Sequence, residues 1–250
     1  MTATENKRRT AFGSVRAVLR KELRQYAASG VPYAVVVGFL VPAAVWFFWF
    51  YDFVGMDQAS LRGYFVAFPV LYIVLLPALT MRLWVEERRG GTLELLRSAP
   101  IGDRAIVVGK FLGALTVVVL MLALTLFVPL TVMRLGVFDL GEIVAEYIGA
   151  LLLAGASLAI MMPVSVRLRS QVTAYLAGVL TLFALSATHQ LAAFAPLPRL
   201  PADLLRAVSL EYQFRGFTRG VLDTGAVGYY LVLVLLALFL CEQRLARAVE

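Results

Sequence analysis

Cysteine, histidine and charged residues are scarce in this sequence. Among its 250 residues there is one cysteine, Cys241, and one histidine, His189, and charged residues make up only 16%. A single cysteine excludes an intrachain disulfide, and its place in an apolar run is typical of a packed side chain. A lone histidine at the end of an apolar run is more typical of a hydrogen-bonded structural residue than of a metal ligand. The composition therefore argues against disulfide-rich folds and histidine-rich metal centres.

Motifs for catalysis are also missing. Gly102 and Gly109 lie seven residues apart where a phosphate-binding loop needs five, and Phe111 stands where that loop needs Ser or Thr. The pair Glu86-Glu87 is found in one type of intramembrane metalloprotease, but a single histidine cannot complete such a metal site. No nucleophile can be paired with a base either. We therefore expect a non-catalytic chain with no cofactor of its own.

Apolar residues are abundant instead: they make up 61% of the chain, and the mean hydropathy is +0.83. A soluble domain has an apolar content nearer one half, and a membrane span needs about 20 mostly apolar residues. The predicted fold class is an all-α integral membrane protein, with residues 1–30 as an N-terminal segment and residues 31–250 as one transmembrane domain. Its six predicted spans are Val31–Tyr51, Tyr64–Met81, Ala105–Met133, Tyr147–Val166, Gln171–Ala195 and Ala226–Cys241. Small residues at helical spacing let helices approach closely, and such residues occur in the third span (Gly109, Gly113) and in the fourth (Ala150, Ala154, Gly155, Ala159).

Basic residues are distributed unevenly between the two sides of this domain. Of the 23 Lys and Arg residues, 17 lie in residues 1–30, 82–110 and 167–169 or after residue 241, whereas acidic residues divide evenly. By the positive-inside rule both termini are cytoplasmic. The net charge of +7 thus reflects topology, and nucleic acid is not an expected partner. No cleavable signal peptide is expected, because the first apolar run starts late and is too long for one.

An amphipathic helix is predicted just before the first span. The apolar residues Phe12, Val15, Leu19, Leu23 and Tyr26 recur at three- and four-residue intervals, and basic residues occupy the other face. This pattern is typical of a helix in the membrane interface, although an ordinary packed amphipathic helix has the same pattern. The position directly before a span favours the interfacial elbow helix. Residues 1–10 are polar and are predicted to be disordered.

A polar interruption at residues 82–104 separates the second and third predicted spans. Its charged cluster, Glu86–Arg89, is followed by Gly90-Gly91, which breaks the chain. The next residues, Thr92–Arg97, read as a short helix, and Pro100 ends it because a proline disfavours a helical residue before it. We therefore predict a short helix held between two spans on the cytoplasmic side.

This short helix has the features of a docking site. Leu93 and Leu96 lie three residues apart and share one face. Glu86, Glu87 and Glu94 offer carboxylates to basic residues of a partner. Apolar anchors ringed by charges are a common plan for protein docking. The alternative is that the two leucines rest on the lipid interface while the charges are solvated.

The longest segment predicted on the outer side comprises residues 196–224. Prolines interrupt its start, and an amphipathic piece at Asp203–Leu210 precedes the aromatic stretch Glu211–Asp223. It is too polar to span the membrane and too aromatic for a simple linker. We predict re-entrant or interfacial helices that shape an outer mouth, with Tyr212, Phe214, Arg219 and Asp223 as mouth residues.

Charged residues are not expected between the interfaces of the predicted spans. Ion-coupled carriers usually place an ionisable group at mid-membrane, so energy is expected to enter this protein from elsewhere. Asp139, Glu142 and Glu146 are assigned to an outer loop, and they do not predict a metal site because no His or Cys joins them.

Two stretches carry a family pattern. The first comprises Met81-Arg82, Glu86–Leu96, Ser98–Pro100 and Val108–Leu112, and the second comprises Ser209–Phe214 and Arg219–Asp223. Together with the six spans and the N-terminal helix, they resemble the permease subunits of ABC-2 family transporters, especially the gliding-motility-associated and NosY-like branch. Gln213 departs from the pattern, in which a His often precedes the Phe.

The resemblance implies a dimer of permeases, two copies or a copy and a paralogue, on two ATP-binding subunits that hold ATP and Mg²⁺. It implies a location in a bacterial or archaeal cytoplasmic membrane. The short helix at about 92–98 would be the coupling helix, braced by the elbow helix, and substrate would pass between the permeases. The implied ATPase-coupling residues are Glu86, Glu87, Arg88, Arg89, Gly91, Thr92, Leu93, Glu94 and Leu96.

Two functions remain open. The chain is either a transport subunit of an ATP-driven exporter or a mechanical transmitter that moves an outer-side accessory protein without passing a substrate. A membrane enzyme is a third class, for which the sequence offers no group of catalytic residues. An uncharged aliphatic and aromatic interior mildly favours a lipid-like or amphipathic cargo.

Overall fold

The computed structural model describes residues 3–51, 60–91, 102–134, 138–194 and 198–247, with the backbone alone for residues 3–12, 89 and 193. All regular structure in these ranges is helical. The helices are α1 (Ala3–Ala28), α2 (Val31–Val45, continued by a π-helical turn at Trp46–Phe50), α3 (Arg62–Val66), α4 (Phe68–Arg89), α5 (Asp103–Thr125), α6 (Phe127–Val132), α7 (Leu140–Ser165), α8 (Gln171–Phe194), α9 (Arg199–Val208), α10 (Leu210–Phe217) and α11 (Thr224–Arg247).

The prediction of six membrane spans is confirmed in the described part of the chain. The helical segments long and apolar enough to cross a membrane are Val31–Phe50, Phe68–Arg88, Asp103–Val132, Leu140–Ser165, Gln171–Ala192 and Thr224–Arg247. The third of them comprises α5 and α6. Several helices continue past the predicted apolar runs, because charged side chains at the end of a span do not interrupt helical hydrogen bonding. The fold is therefore that of a multi-pass, all-α membrane protein.

Contacts between distant parts of the chain define two ends of the bundle. At the end that carries α1, called the α1 end, Arg244 Nη1 donates to the Pro163 carbonyl at 2.8 Å. The other end carries α9 and α10 and is called the α10 end. There the Tyr230 hydroxyl donates to the Leu210 carbonyl at 2.7 Å.

Helix α7 is the most buried of the six spans and packs against α4, α5, α8, α10 and α11. Small residues make this possible, because they allow neighbouring backbones to approach closely. Ala150, Ala154, Gly155 and Ala159 are all buried in the structure. The small-residue spacing predicted for the fourth span is thus confirmed as a packing surface.

Helix α1 starts at Ala3, so the prediction that residues 1–10 are disordered is wrong. That segment contains good helix formers such as Glu5 and Lys7. Adding a residue to an existing helix needs no new nucleation. The helix that packs further along the chain therefore extends backwards through the polar residues.

The outer segment predicted at residues 196–224 contains two helices, α9 and α10. They are separated at Ser209, whose hydroxyl accepts a hydrogen bond from the Tyr212 amide at 3.3 Å and so caps α10. Leu200 and Leu204 of α9 are exposed on one side, while Ala202 is buried on another. Helix α9 therefore has an apolar face that no described part of the chain covers.

Candidate functional site

The predicted coupling helix lies outside the described residues. Thr92, Leu93, Glu94 and Leu96 all fall in the range 92–101, so the structure tests neither their helix nor its docking face. The two ends that flank this range are described. They are the last turn of α4, which Gly90-Gly91 follows, and the start of α5.

Gly91 makes the exit from α4 possible. Its φ of 64° lies in the left-handed region, which is unfavourable for residues other than glycine. The Gly90 amide donates to the Glu86 carbonyl at 2.9 Å, which completes the last turn. The predicted chain break at the two glycines is thus confirmed, and Gly91 has a structural reason to be glycine.

Helix α1 packs directly on α5, because two glycines of α5 leave no side chain between the two backbones. A Cβ built on Gly109 would stand 2.7 Å from the Val18 side chain, and one built on Gly113 would stand 2.8 Å from the Cβ of Glu22. Distances this short exclude any side chain at either position without movement of α1. The spacing of Gly109 and Gly113, interpreted from the sequence as a close-approach signal, is confirmed, and its partner is α1.

Between these glycines, Lys110 enters a buried cluster of charges. Its ammonium lies 2.7 Å from Glu22 Oε1 of α1 and 2.9 Å from Glu87 Oε1 of α4. Lys21 of α1 reaches the same Glu87 oxygen at 2.6 Å. Lys110 also donates to the Leu83 carbonyl at 2.8 Å. We call Lys21, Glu22, Glu87 and Lys110 the charge cluster; it joins α1, α4 and α5.

The charge cluster contributes to stability because it is buried. The side chains of Lys110, Glu22 and Glu87 are 1%, 4% and 5% exposed, whereas that of Lys21 is 35% exposed. Removing one partner from a buried pair leaves a charge without compensation and costs about 3–5 kcal/mol. The ammonium of Lys110 also lies 5.2 Å from the centre of the Trp84 ring, a cation–π distance. The three helices are therefore held in a definite arrangement.

The structure corrects two sequence interpretations here. The buried edge of α1 is formed by Val18, Glu22 and Tyr26, while Val15, Leu19 and Leu23 are half-buried beside it; the side chain of Phe12 lies outside the described part. Tyr26 of the predicted stripe thus lies on the packed face, but that face is rotated from the rest of the stripe because the ion pair with α5 adds Glu22 to it.

Lys110 is buried within the helix of the third span, whereas the sequence places it with the basic residues of the cytoplasmic side. Glu146 is likewise fully buried in the helix of the fourth span. Neither of its carboxyl oxygens has a hydrogen-bond partner in the described part of the chain. Helix α7 begins at Leu140, which places Glu146 within the span and not in the predicted outer loop.

A second layer of polar contacts surrounds a cavity of about 240 Å³ beside the charge cluster. Arg82 donates to Glu86 and to the Ser29 hydroxyl, and Gln171 donates to Glu86 at 3.2 Å. Tyr26 donates to the Leu79 carbonyl at 3.3 Å, and burial raises the pKa of its phenol well above its ordinary value. That phenol therefore stays neutral and acts as a donor.

The two predicted partner-facing carboxylates differ in their surroundings. Glu86 is exposed at the surface of the α1 end, while Glu87 is enclosed by Lys21 and Lys110. Arg88 is half-buried. The structure thus leaves Glu86 accessible to another molecule, and gives Glu87 a role inside the chain.

At the α10 end, the predicted mouth residues differ in their exposure. Tyr212, Arg219 and Asp223 are exposed, and Phe214 is buried. Asp223 accepts a hydrogen bond from the Gly225 amide at 2.9 Å, which places it at the start of α11. Three of the predicted mouth residues are therefore at the surface, and one is in the core.

The contacts that hold α10 involve residues which sequence reasoning did not assign to the mouth. His189 Nδ1 lies 3.0 Å from the Ser209 hydroxyl, and Arg215 Nη2 lies 2.8 Å from His189 Nε2. Because a guanidinium can only donate, Nε2 accepts this hydrogen bond. Ser209 also donates to the Ser186 carbonyl at 2.9 Å. His189 is thus the hydrogen-bonded structural residue that its position predicted.

Comparison of the sequence with models of known protein families gives one match. The model of the ABC-2 family transporter protein matches residues 16–203, which is more than half of the chain and includes the charge cluster. No curated protein matches the sequence. The six spans, the family match and its extent agree with one another. This chain therefore belongs to the ABC-2 family of transporter membrane proteins.

Proposed function

We propose that this chain is the permease subunit of an ATP-driven ABC-2 exporter. Two permeases, as identical copies or as a copy and a paralogue, form the translocation path, and two separate ATP-binding subunits bind ATP and Mg²⁺ and supply the energy. The α1 end faces the cytoplasm of a bacterial or archaeal cell, in agreement with its excess of basic residues. Family membership supports the permease role.

The observation that carries this proposal is the charge cluster. The range 92–101 connects α4 to α5, and both of these helices are joined to α1 by Lys110, Glu22 and Glu87. A partner that pushes on the connection acts on three helices at once. Separating them leaves buried charges without partners, which is costly. The displacement is therefore transmitted to the spans as a unit.

The docking surface in this proposal consists of the predicted coupling residues other than Glu87. Leu93 and Leu96 supply the apolar anchors, with Glu94 beside them, and the exposed Glu86 supplies a carboxylate at the rim. Arg88, Arg89, Gly91 and Thr92 orient the connection between α4 and the docking helix. Glu87 acts through Lys110 and α1 rather than by direct contact with the ATPase.

The experiment is purification of the full chain with its ATP-binding subunits. Leu93→Asp with Leu96→Asp removes the apolar anchors, and we expect about ten-fold less ATPase to copurify. The matched control is Leu200→Asp with Leu204→Asp, an exposed leucine pair at the α10 end, which should retain the ATPase. Equal retention by both double variants would overturn the docking proposal.

A mechanical transmitter is the alternative, and one observation favours keeping it. Helix α10 is bound to α8 through His189 and Ser209, and to α7 where the Phe217 side chain would meet a Cβ on Gly149 at 2.5 Å. Motion of these spans therefore reaches a surface at the α10 end that an accessory protein could contact. Transport into reconstituted vesicles distinguishes the two, because only an exporter moves a substrate.

A further inference from the structure

His189 lies where α8 meets the start of α10, and its two ring nitrogens face different partners. Nδ1 is 2.8 Å from the Ser186 carbonyl and 3.0 Å from the Ser209 hydroxyl. The Ser209 hydroxyl itself donates to the Ser186 carbonyl at 2.9 Å. A carbonyl can only accept a hydrogen bond, so Nδ1 carries a hydrogen in this arrangement.

The second ring nitrogen, Nε2, faces two side chains of α10 that carry opposite charges. Arg215 Nη2 is 2.8 Å from Nε2 and donates to it, whereas Glu211 Oε1 is 3.7 Å from Nε2. Glu211 and Arg215 lie one helical turn apart and pair with each other at 3.2 Å. The guanidinium therefore uses the lone pair of Nε2, and the carboxylate stands just beyond the distance of about 2.7–2.9 Å that a charged hydrogen bond has.

A second hydrogen on the ring would reverse this choice of partner. It would lie on Nε2 and point at the Arg215 guanidinium, which cannot accept it and repels an imidazolium. The Glu211 carboxylate can accept it, and a hydrogen bond between charged groups is about twice as strong as one between neutral groups. Histidine is the side chain that ordinarily changes charge between about pH 5 and 8. The ring thus has one partner on α10 without this hydrogen and another partner with it.

The helices packed around this site carry further charged side chains, namely Arg199, Asp203 and Arg206 on α9 and Glu142 and Glu146 on α7. Arg206 pairs with Asp203 at 3.4 Å, and the two glutamates interact with each other and with Arg62. Helix α8 has no Asp, Glu, Lys or Arg, and those of α4 lie at the α1 end. Among the described residues, the charged groups in contact with the ring are therefore Glu211 and Arg215.

Protons can reach Nε2 from the aqueous phase at the α10 end. The side chains of Arg215 and Glu211 are 52% and 25% exposed, although that of His189 is only 6% exposed. Phe217 on the same helix α10 would meet a Cβ on Gly149 of α7 at 2.5 Å. A change of partner at His189 therefore acts on a helix that also packs against the most buried span.

We propose that His189 is an acid-sensitive attachment point between α8 and α10, which binds Arg215 at neutral pH and Glu211 in acid. Both partners belong to α10, so acid exchanges one attachment for the other and shifts the helix on α8 without releasing it. The inference goes beyond the transport role, because it gives the surface at the α10 end a response to the pH of the adjoining aqueous phase.

The first test needs no substitution, because His189 is the only histidine in the chain. Isotopically labelled histidine therefore reports on this ring alone in NMR spectra of the full chain in detergent. At about pH 7.5 we expect one ring hydrogen, on Nδ1, and at about pH 5 we expect hydrogens on both nitrogens. A hydrogen on Nε2 at the higher pH, or a single ring hydrogen at the lower pH, would overturn the proposal.

The second test measures hydrogen exchange at the amides of α10, corrected for the effect of pH on exchange in unstructured peptides. At about pH 7.5, Arg215→Met should accelerate exchange about three- to ten-fold, as expected for the loss of one hydrogen bond, and Glu211→Gln should have a smaller effect. At about pH 5 the order of the two variants should reverse. Arg206→Met, which removes an exposed pair on α9, is the matched control and should show no such reversal.

A histidine variant links the reversal to the ring. The amide of His189→Gln can accept from Arg215 but takes up no further hydrogen. When His189→Gln is combined with either α10 variant, the order of the two should be the same at both pH values. The proposal is contradicted if the reversal persists in the His189→Gln background, or if the native background shows the same order at both pH values.

Discussion

The Lys110 ammonium lies 2.7 Å from the Glu22 carboxylate, although 88 residues separate the two along the chain. This pair joins a helix that precedes the first span to the middle of the chain. It is buried, and the backbones around it are in contact through Gly109 and Gly113. An ionic contact inside a glycine-lined interface holds α1 against the bundle with a single register.

Loss of the Lys110 charge should destabilise the protein strongly. Lys110→Met leaves the Glu22 carboxylate buried without its partner, and we expect a loss of about 3–5 kcal/mol in unfolding free energy. The measurement is thermal or chemical unfolding of the purified chain in detergent. Lys21→Met is the matched control, because Lys21 is partly exposed and its pair should contribute about 1 kcal/mol or less.

A compensating change separates the loss of the pair from the loss of packing. Glu22→Leu combined with Lys110→Met removes both charges, and should recover most of the stability that Lys110→Met loses. If Lys110→Met costs no more than Lys21→Met, the charge cluster does not hold the three helices together.

Gly109→Ala should push α1 away from α5. Its new methyl group would stand 2.7 Å from the Val18 side chain, and such overpacking costs about 1–3 kcal/mol. Gly228→Ala on α11 is the control, since open space surrounds that position and alanine favours the helix. Val18→Ala added to Gly109→Ala should restore part of the stability. If Gly109→Ala, Gly228→Ala and the double variant have the same free energy of unfolding, α1 and α5 do not approach closely at Gly109.

Glu146→Leu should raise the stability of the folded chain. It removes a fully buried carboxyl that has no hydrogen-bond partner in the described ranges, and an unsatisfied buried group costs about 1–3 kcal/mol. Glu142→Leu is the comparison, because Glu142 is half-buried and lies 3.5 Å from the Ser60 hydroxyl. Unfolding of the two variants in detergent provides the measurement, and a less stable Glu146→Leu would show that the carboxyl has a stabilising role.

Ser209→Ala should loosen α10. The substitution removes the N-terminal cap of that helix and the contacts with His189 and the Ser186 carbonyl, at a cost of about 0.5–2 kcal/mol. Hydrogen exchange at the amides of α10 should accelerate, while exchange in α7 should not. Asp203→Ala on the exposed surface of α9 is the control and should change neither. Unchanged exchange at the α10 amides would show that the Ser209 contacts do not hold this helix in place.

Orientation can be tested by cysteine labelling in a Cys241→Ala background, which removes the one native cysteine. Arg167→Cys and Gln243→Cys should react only with a membrane-permeant reagent, because the basic end of the bundle is predicted to face the cytoplasm. Arg219→Cys at the opposite end should react with an impermeant reagent. The reverse labelling pattern would invert the topology.

The sequence by itself predicted the number of spans and the N-terminal helix. A span must be apolar over about 20 residues whatever it packs against, so composition along the chain is sufficient to detect it. The Gly109–Gly113 spacing also predicted a close helix contact, because side-chain size is a local property. The family pattern was likewise visible in short stretches such as Glu86–Leu96.

Only the tertiary structure decided which charged and polar residues lie inside. Glu22, Glu87 and Lys110 belong to three different helices, and each of them alone reads as an interface residue. Burial of a charge costs much less where an opposite charge lies beside it, and whether the two come together depends on how the helices pack. The contact of His189 with Ser209 arose in the same way, since folding brings together residues from α8 and from the break between α9 and α10. Hydropathy along the chain indicates which segments can lie in a membrane, and packing determines which side chains come into contact.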